Sequence, residues 1–192
     1  MLHLIIGTMK ASKSSTLIDY TTMFNDKKYT IFYPACCDKK DGYVVSRDNN
    51  KEVKAIKIFE IKDMYNYIQN VDIIFIDEFQ FLTNNNSKEL MDFLEFCDRE
   101  NKIVYLFGLS LNYMSEPFDI TKDILPYADS VIVLTADCDI CGKKATRCIR
   151  YIDGKLDNNP ESNVLVMESS NVEYKSVCRE CYRKITGLNA IK

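Results

Sequence analysis

A chain of 192 residues that is 46% hydrophobic can bury one full core with little more than a small appendage. Its net charge of -3 and pI near 5.3 have the wrong sign for a nucleic-acid binder, and no apolar run nears the roughly 20 residues of a membrane helix. The N-terminus reads as a short strand rather than a signal peptide, so the expected setting is a reducing cytoplasm, where paired cysteines bind metal instead of forming disulfides. A single histidine, His3, rules out a His-based triad or a multi-histidine metal site within one subunit, so any general base must be Asp, Glu, Lys, Tyr or Cys.

Leu2 to Ile6 is a short apolar run closed by Gly7, the pattern of a buried parallel strand. Ser14 to Asn25 carries Leu17, Ile18, Met23 and Phe24 and predicts a helix. "YTIFYP" (Tyr29 to Pro34) is a strand by its β-branched and aromatic content, and Pro34 closes it. A loop at "DKKDG" leads to a short strand at "YVVS", a further strand at "AIKIF" and a helix in "IKDMYNYIQN". Ile73 to Ile76 is a near-continuous apolar strand ending in Asp77 and Glu78. "SKELMDFLEFCDRE" has a helical stripe of Leu90, Met91, Phe93, Leu94 and Phe96, with Ser87 as the expected cap. "KIVYLFG" and "SVIVLT" read as further buried strands. Strand–helix alternation to residue 135 predicts an α/β fold with a doubly wound, mostly parallel sheet. From Asp137 the character changes to paired cysteines, short strands and the polar loop "DNNPESN". The expected division is a nucleotide-binding domain over 1–135 and a small zinc-ribbon and lasso domain over 136–192.

Three groups of residues carry chemistry. "GTMKASKS" (Gly7 to Ser14) sits between strand and helix like a Gly-x-x-x-x-Gly-Lys-Ser/Thr phosphate loop, with Ser12 where the second glycine belongs. The N–H groups of such a loop and the helix N-terminus cradle phosphate oxygens, its lysine (Lys13) reaches the terminal phosphates, and the next hydroxyl (Ser14) ligates Mg²⁺. Taken alone, the stretch is equally compatible with a solvated strand–turn–helix. The second group is Asp77–Glu78, where an acid at a strand end can help hold that metal. Strands ending at Gly7 and at Asp77 bring both groups to the ligand-binding carboxyl edge of one sheet. The third is "CDIC" (Cys138, Cys141) with "CREC" (Cys178, Cys181), four thiolates that suit a closed, structural, tetrahedral Zn²⁺ site. Cys36, Cys37, Cys97 and Cys148 read as ordinary core or near-surface cysteines.

The order of these motifs, with "DEFQF", "GLSLNYMSEPF", "LTADCDIC" and "YKSVCRECY", resembles thymidine kinase of the cellular, zinc-containing type over nearly the whole chain, as a divergent viral or phage member. The resemblance implies ATP, Mg²⁺ and a structural Zn²⁺ as cofactors, thymidine as substrate, a role in nucleotide salvage, and a homotetramer with neither nucleic acid nor membrane as partner. It places ATP on Gly7, Thr8, Met9, Lys10, Ala11, Ser12, Lys13 and Ser14, with Asp38, Lys40 and Gln80 also on the nucleotide side. Asp77 matches the metal-linked acid beside Ser14, and Glu78 matches the base that takes the proton of the 5′-hydroxyl. Phe81, Tyr113, Phe118 and Tyr174, with a lasso of Leu165, Val166, Met167, Glu168 and Ser169, align with the thymidine-binding positions.

The departures from the family pattern are specific. Ser12 replaces the loop glycine, and Lys40 an arginine, which keeps the charge but loses the bidentate fork. Ser110, Asn112, Met114 and Ser115 stand where bacterial relatives carry Asp, Asp, Arg and Gly, and Ser169 and Ser170 stand for the lasso glycines. Ser12 is expected to be tolerated because the loop needs its N–H more than the absence of a Cβ. A negative φ there makes Gly a neutral replacement, whereas a positive φ makes Ser12 strained. The alternative function is a nucleotide- or nucleoside-binding homologue without turnover; a zinc-ribbon nucleic-acid adaptor is disfavoured by the acidic pI.

Overall fold

A computed structural model describes residues 1–37, 40–46, 50–82, 87–162 and 169–191. The first half of the chain runs β1 (Leu2–Gly7), α1 (Lys13–Met23), β2 (Tyr29–Pro34), a hairpin of β3 (Tyr43–Val45) and β4 (Glu52–Lys54), then β5 (Ile56–Ile58) and β6 (Ile73–Asp77). Next come α2 (Lys88–Arg99), β7 (Ile103–Leu109), α3 (Asp119–Ile124) and β8 (Ser130–Leu134). A six-stranded sheet is ordered β5-β2-β6-β7-β1-β8, with β2 parallel to β5 and β6, and β6 parallel to β7. β6 and β7, adjacent and parallel, are joined through α2, and α1 connects β1 to β2 within the same sheet, the α/β arrangement expected from the alternation. Every residue of β6 is buried, which is why its run shows no polar alternation.

The chain is organised as two compact units, the first comprising Met1–Ile6, Ser12–Gly108 and Asp119–Ile132. The second gathers Gly7–Ala11, Leu109–Phe118 and Val133–Lys192. It contains β9 (Ala136–Asp137) paired with β10 (Lys144–Ala145), then β11 (Arg147–Ile152) between β12 (Lys155–Leu156) and β13 (Val172–Val177), and finally α4 (Arg179–Thr186). Its core joins Ala11 to Ala136, Ala145, Ile149, Val177 and Tyr182 around the clustered cysteines. Residues 8–11 of the nucleotide-type loop thus pack with the C-terminal third of the sequence.

Several expectations are corrected. The helix predicted in "IKDMYNYIQN" is a 3₁₀ helix, Ile61–Tyr67, whose buried Ile61 and Met64 share one face at the spacing of three that this geometry favours. Ser87 is the N-cap residue of α2, as expected, but its side chain makes no capping bond: its hydroxyl donates instead to Asp123 Oδ2 at 2.5 Å. β8 is a sheet edge rather than a buried strand, and it leaves Val131, Ile132 and Val133 exposed. The 3₁₀ turn Phe79–Phe81, β4 and α3 are elements the sequence patterns did not disclose.

Candidate active site

β1 delivers Gly7 to the start of the loop. A Cβ there would meet the Leu134 carbonyl oxygen at 2.6 Å and the Ala11 Cβ at 3.2 Å, so only glycine fits. Lys10 and Ser12 then take left-handed φ of 57° and 54°, a conformation that disfavours residues with a Cβ. Ser12 is therefore a strained substitute for glycine, not an indifferent one. Ser115 behaves likewise at φ 62°. Ser12 and Ser115, both at positions where the family pattern has glycine, thus take a conformation that favours glycine.

Ser12 is also the N-cap of α1, but its side chain makes no capping bond and no acid stands in the first turn. Ser12 accepts from both the N–H and the hydroxyl of Thr16 at 2.9 Å through its carbonyl. A helix start with neither a capping side chain nor a local carboxylate suits an anion. Lys13 begins that helix and is buried.

At the end of β6, Asp77 is fully buried. Its Oδ2 accepts from Ser14 at 3.4 Å and its Oδ1 from the Glu78 N–H at 3.1 Å. Glu78 is half-buried and left-handed at φ 53°, and Gln80 donates to its Oε2 at 2.6 Å. Gly108 lies against Gln80 and Phe79, where a Cβ would collide with both side chains. Backbone strain at an acid beside a buried acid is characteristic of functional sites. The Ser14 hydroxyl and Asp77 carboxylate are hard oxygens of the kind Mg²⁺ accepts, and Glu78 is a carboxylate oriented by Gln80.

Phe81 is half-buried, and its carbonyl accepts from the Cys36 thiol at 3.8 Å. Hydrogen bonding with the Cys37 thiol brings the Cys36 thiol down to about 7, making it more acidic than an ordinary cysteine. Lys40 is exposed and bonded to Glu52 at 2.6 and 2.9 Å in the β3–β4 hairpin; its hydrogen bond to Glu52 holds its pKa above the usual lysine range. Asp38 and the lasso residues Leu165, Val166, Met167 and Glu168 lie outside the described residues.

In the second unit Tyr113, Phe118 and Tyr174 are all buried. Between the two tyrosines lies Arg150, which sequence reasoning missed. It is fully buried on β11, donates to Asp157 Oδ2 through Nε at 2.9 Å and Nη2 at 2.6 Å, and reaches the Tyr174 hydroxyl at 3.3 Å. Its guanidinium carbon sits 3.8 Å from the Tyr113 ring centroid, a cation–π contact in a desolvated place. The Tyr113 hydroxyl donates to the Asn159 carbonyl at 2.7 Å, and Ser169 is bridged to Val172. Nothing in "RCIRYI" signals that this arginine faces inward.

The sulfurs of Cys138, Cys141, Cys178 and Cys181 lie within 4.8 Å of one another, with Cys141 and Cys178 at 3.7 Å. A Zn–S bond of about 2.3 Å requires sulfur–sulfur edges of about 3.8 Å in a tetrahedron, so the cluster fits Zn²⁺. Burial opposes ionisation of Cys138, but N–H groups overcome it and bring that thiol to about 6, while hydrogen bonding to Cys141 pushes Cys181 up to about 12. Crowded thiols that cannot all ionise together are what a divalent cation neutralises.

The sheet, the strand–loop–helix that starts at Gly7, the acidic strand end and the four-cysteine cluster together fit the α/β phosphotransferase class with a structural metal site. Comparison with known proteins narrows this class. A family model described as thymidine kinase matches residues 1–182. The chain is 28% identical over 194 residues to a thymidine kinase of Pseudothermotoga lettingae, covering 98% of this chain and 97% of that protein. It is 29% identical to a thymidine kinase of Thermococcus kodakarensis over 93% of this chain and 92% of that protein. With a thymidine kinase of Onion yellows phytoplasma it shares 35% over 86% and 79% of the two chains. The chain belongs to the thymidine kinase family and is an enzyme. Among the described residues, no helix is long and apolar enough to cross a membrane.

Proposed function

We propose that the protein transfers the γ-phosphoryl group of ATP to the 5′-hydroxyl of thymidine, releasing ADP and thymidine monophosphate in nucleotide salvage. The observation that carries this reading is the Ser14–Asp77–Glu78–Gln80 constellation at the end of β6, in a chain whose relatives bear the name thymidine kinase. Main-chain N–H groups of residues 7–14 bind the phosphates and Lys13 neutralises charge on the transferred group. Ser14 and Asp77 would hold Mg²⁺, which would supply positive charge against the phosphate oxygens. Glu78 takes the 5′-hydroxyl proton as that oxygen bonds to the γ-phosphorus and the bond to the ADP oxygen breaks. We assign the nucleotide side to residues 1–135, with Asp38, Lys40 and Gln80 included. Nucleoside recognition falls to Phe81, Tyr113, Phe118, Tyr174 and residues 165–169, the zinc-bearing domain being residues 136–192. The exposed aliphatic edge of β8 supports a homo-oligomer, with the homotetramer as the family form.

The decisive experiment incubates purified protein with γ-labelled ATP and a panel of nucleosides. Label is expected on thymidine. ATP and nucleoside binding with no labelled product from any nucleoside would establish the non-catalytic homologue instead.

A further inference from the structure

The nucleotide loop is strained at Lys10 and Ser12, and such conformations persist only where surrounding contacts over-determine them. The contacts come from the cysteine-bearing part of the chain. Thr8, buried, donates its hydroxyl to the Arg147 carbonyl at 2.9 Å. Ser176, fully buried on β13, donates its hydroxyl to the Met9 carbonyl at 2.6 Å. Lys10 pairs with Asp139 at 2.9 Å, and the same Asp139 oxygen accepts the Ser176 N–H at 2.7 Å. Asp139 stands inside the Cys138–Cys141 knuckle, and its N–H donates to the Ser176 carbonyl at 2.8 Å. Three successive loop residues, Thr8, Met9 and Lys10, are thus each held inside the second unit, and Ser176 and Asp139 join two of the grips.

The three grips differ in strength. The Lys10–Asp139 pair is partly exposed, its side chains 49% and 30% accessible, so by itself it adds little. Ser176 is itself fully buried and its bond to the half-buried Met9 carbonyl is part-buried, so this grip is less screened than the ion pair.

We propose that Ser176 is a positioning residue for nucleotide binding: through the Met9 carbonyl and Asp139 it clamps the strained phosphate loop in its binding conformation, so the cysteine-bearing unit sets affinity for ATP. This rests on the kinase reading above. The test titrates a non-hydrolysable ATP analogue into zinc-loaded protein by calorimetry, with zinc content and the thymidine KM measured alongside. Ser176→Ala is expected to weaken the analogue about five- to tenfold, the worth of one part-buried hydrogen bond, with zinc content and thymidine KM unchanged. Ser12→Gly relieves the strain that the clamp opposes, so in that background Ser176→Ala is expected to weaken binding by less than about twofold.

Unchanged affinity in Ser176→Ala overturns the proposal, as does an equal loss in both backgrounds. If Ser176→Ala does not fold, Asp139→Asn tests the clamp from its solvent side; about a twofold loss is expected for weakening one exposed grip, and no loss overturns the proposal. A wild-type protein that binds no analogue overturns the kinase reading, and the clamp with it. One that binds the analogue and phosphorylates thymidine, yet is indifferent at Ser176, overturns the clamp alone.

Discussion

Replacing Ser12 with glycine tests the reasoning about the phosphate loop most directly. Ser12 sits at φ 54° and ψ 27°, in the left-handed basin. For a residue with a Cβ this conformation costs roughly 1–2 kcal/mol. Glycine removes that cost but gives the unfolded chain more freedom, a loss of about 0.4–1 kcal/mol. The difference is a net stabilisation of about 0.5–1 kcal/mol for Ser12→Gly. In a chain of this size that corresponds to a rise in Tm of about 1–4 °C. The Ser12 side chain makes no capping bond whose loss would offset the gain. ATP affinity is expected to tighten by about two- to fivefold, because a relaxed loop populates its binding conformation more fully. Thermal unfolding and analogue titration on the same preparation check both numbers. A Tm that falls, or nucleotide binding that weakens, would refute the assignment of strain to Ser12 and return this position to the indifferent serine expected from sequence.

Lys13→Ala is expected to abolish nucleoside phosphorylation; measurable turnover would remove Lys13 from the phosphate site. Glu78→Gln should leave ATP binding nearly intact and lower turnover by roughly 10²–10⁴-fold, the worth of a positioned general base, and a wild-type rate in single-turnover assays would exclude it. Metal analysis should find about one zinc per chain, and Cys138→Ser or Cys181→Ser should loosen the C-terminal unit to proteolysis; an equally protected, metal-free variant would refute the zinc site. Arg150→Met leaves Asp157 buried without its partner and is expected to destabilise the fold by about 3–5 kcal/mol in denaturant titration, whereas Arg150→Met with Asp157→Leu costs much less. Cys36, exposed and lowered to about 7, should be alkylated first and gain most of its reactivity as pH rises through 7, because the thiolate is the nucleophile. Cys97, buried and pushed up to about 12, should stay protonated and unmodified, as mass spectrometry after a pH series of iodoacetamide treatments can verify.

What the sequence determined by itself is the chemistry that depends on near neighbours in the chain. A glycine-ended apolar strand followed by Lys13–Ser14, an apolar strand ending in Asp77–Glu78, and two Cys-x-x-Cys knuckles are local patterns; their spacing alone indicated the α/β sheet and the cysteine cluster. Tertiary structure decided whatever depends on which side of a residue meets the rest of the protein. Position 12 is serine on either reading, and only the folded backbone shows that its φ is positive. The strands "SVIVL" and "IIFID" each carry a run of four apolar residues, yet β6 lies inside the sheet and β8 at its edge, a difference of neighbours rather than of composition. The Ser87 hydroxyl makes no capping bond to α2 and donates to Asp123, 36 positions away. Arg150 with Asp157, and Ser176 with Met9 across 167 positions, are polar pairs that the fold buries wholly or in part. A charge or hydroxyl on a short strand carries no mark of its orientation until packing removes water from it, and from that point the partner it finds determines what it does.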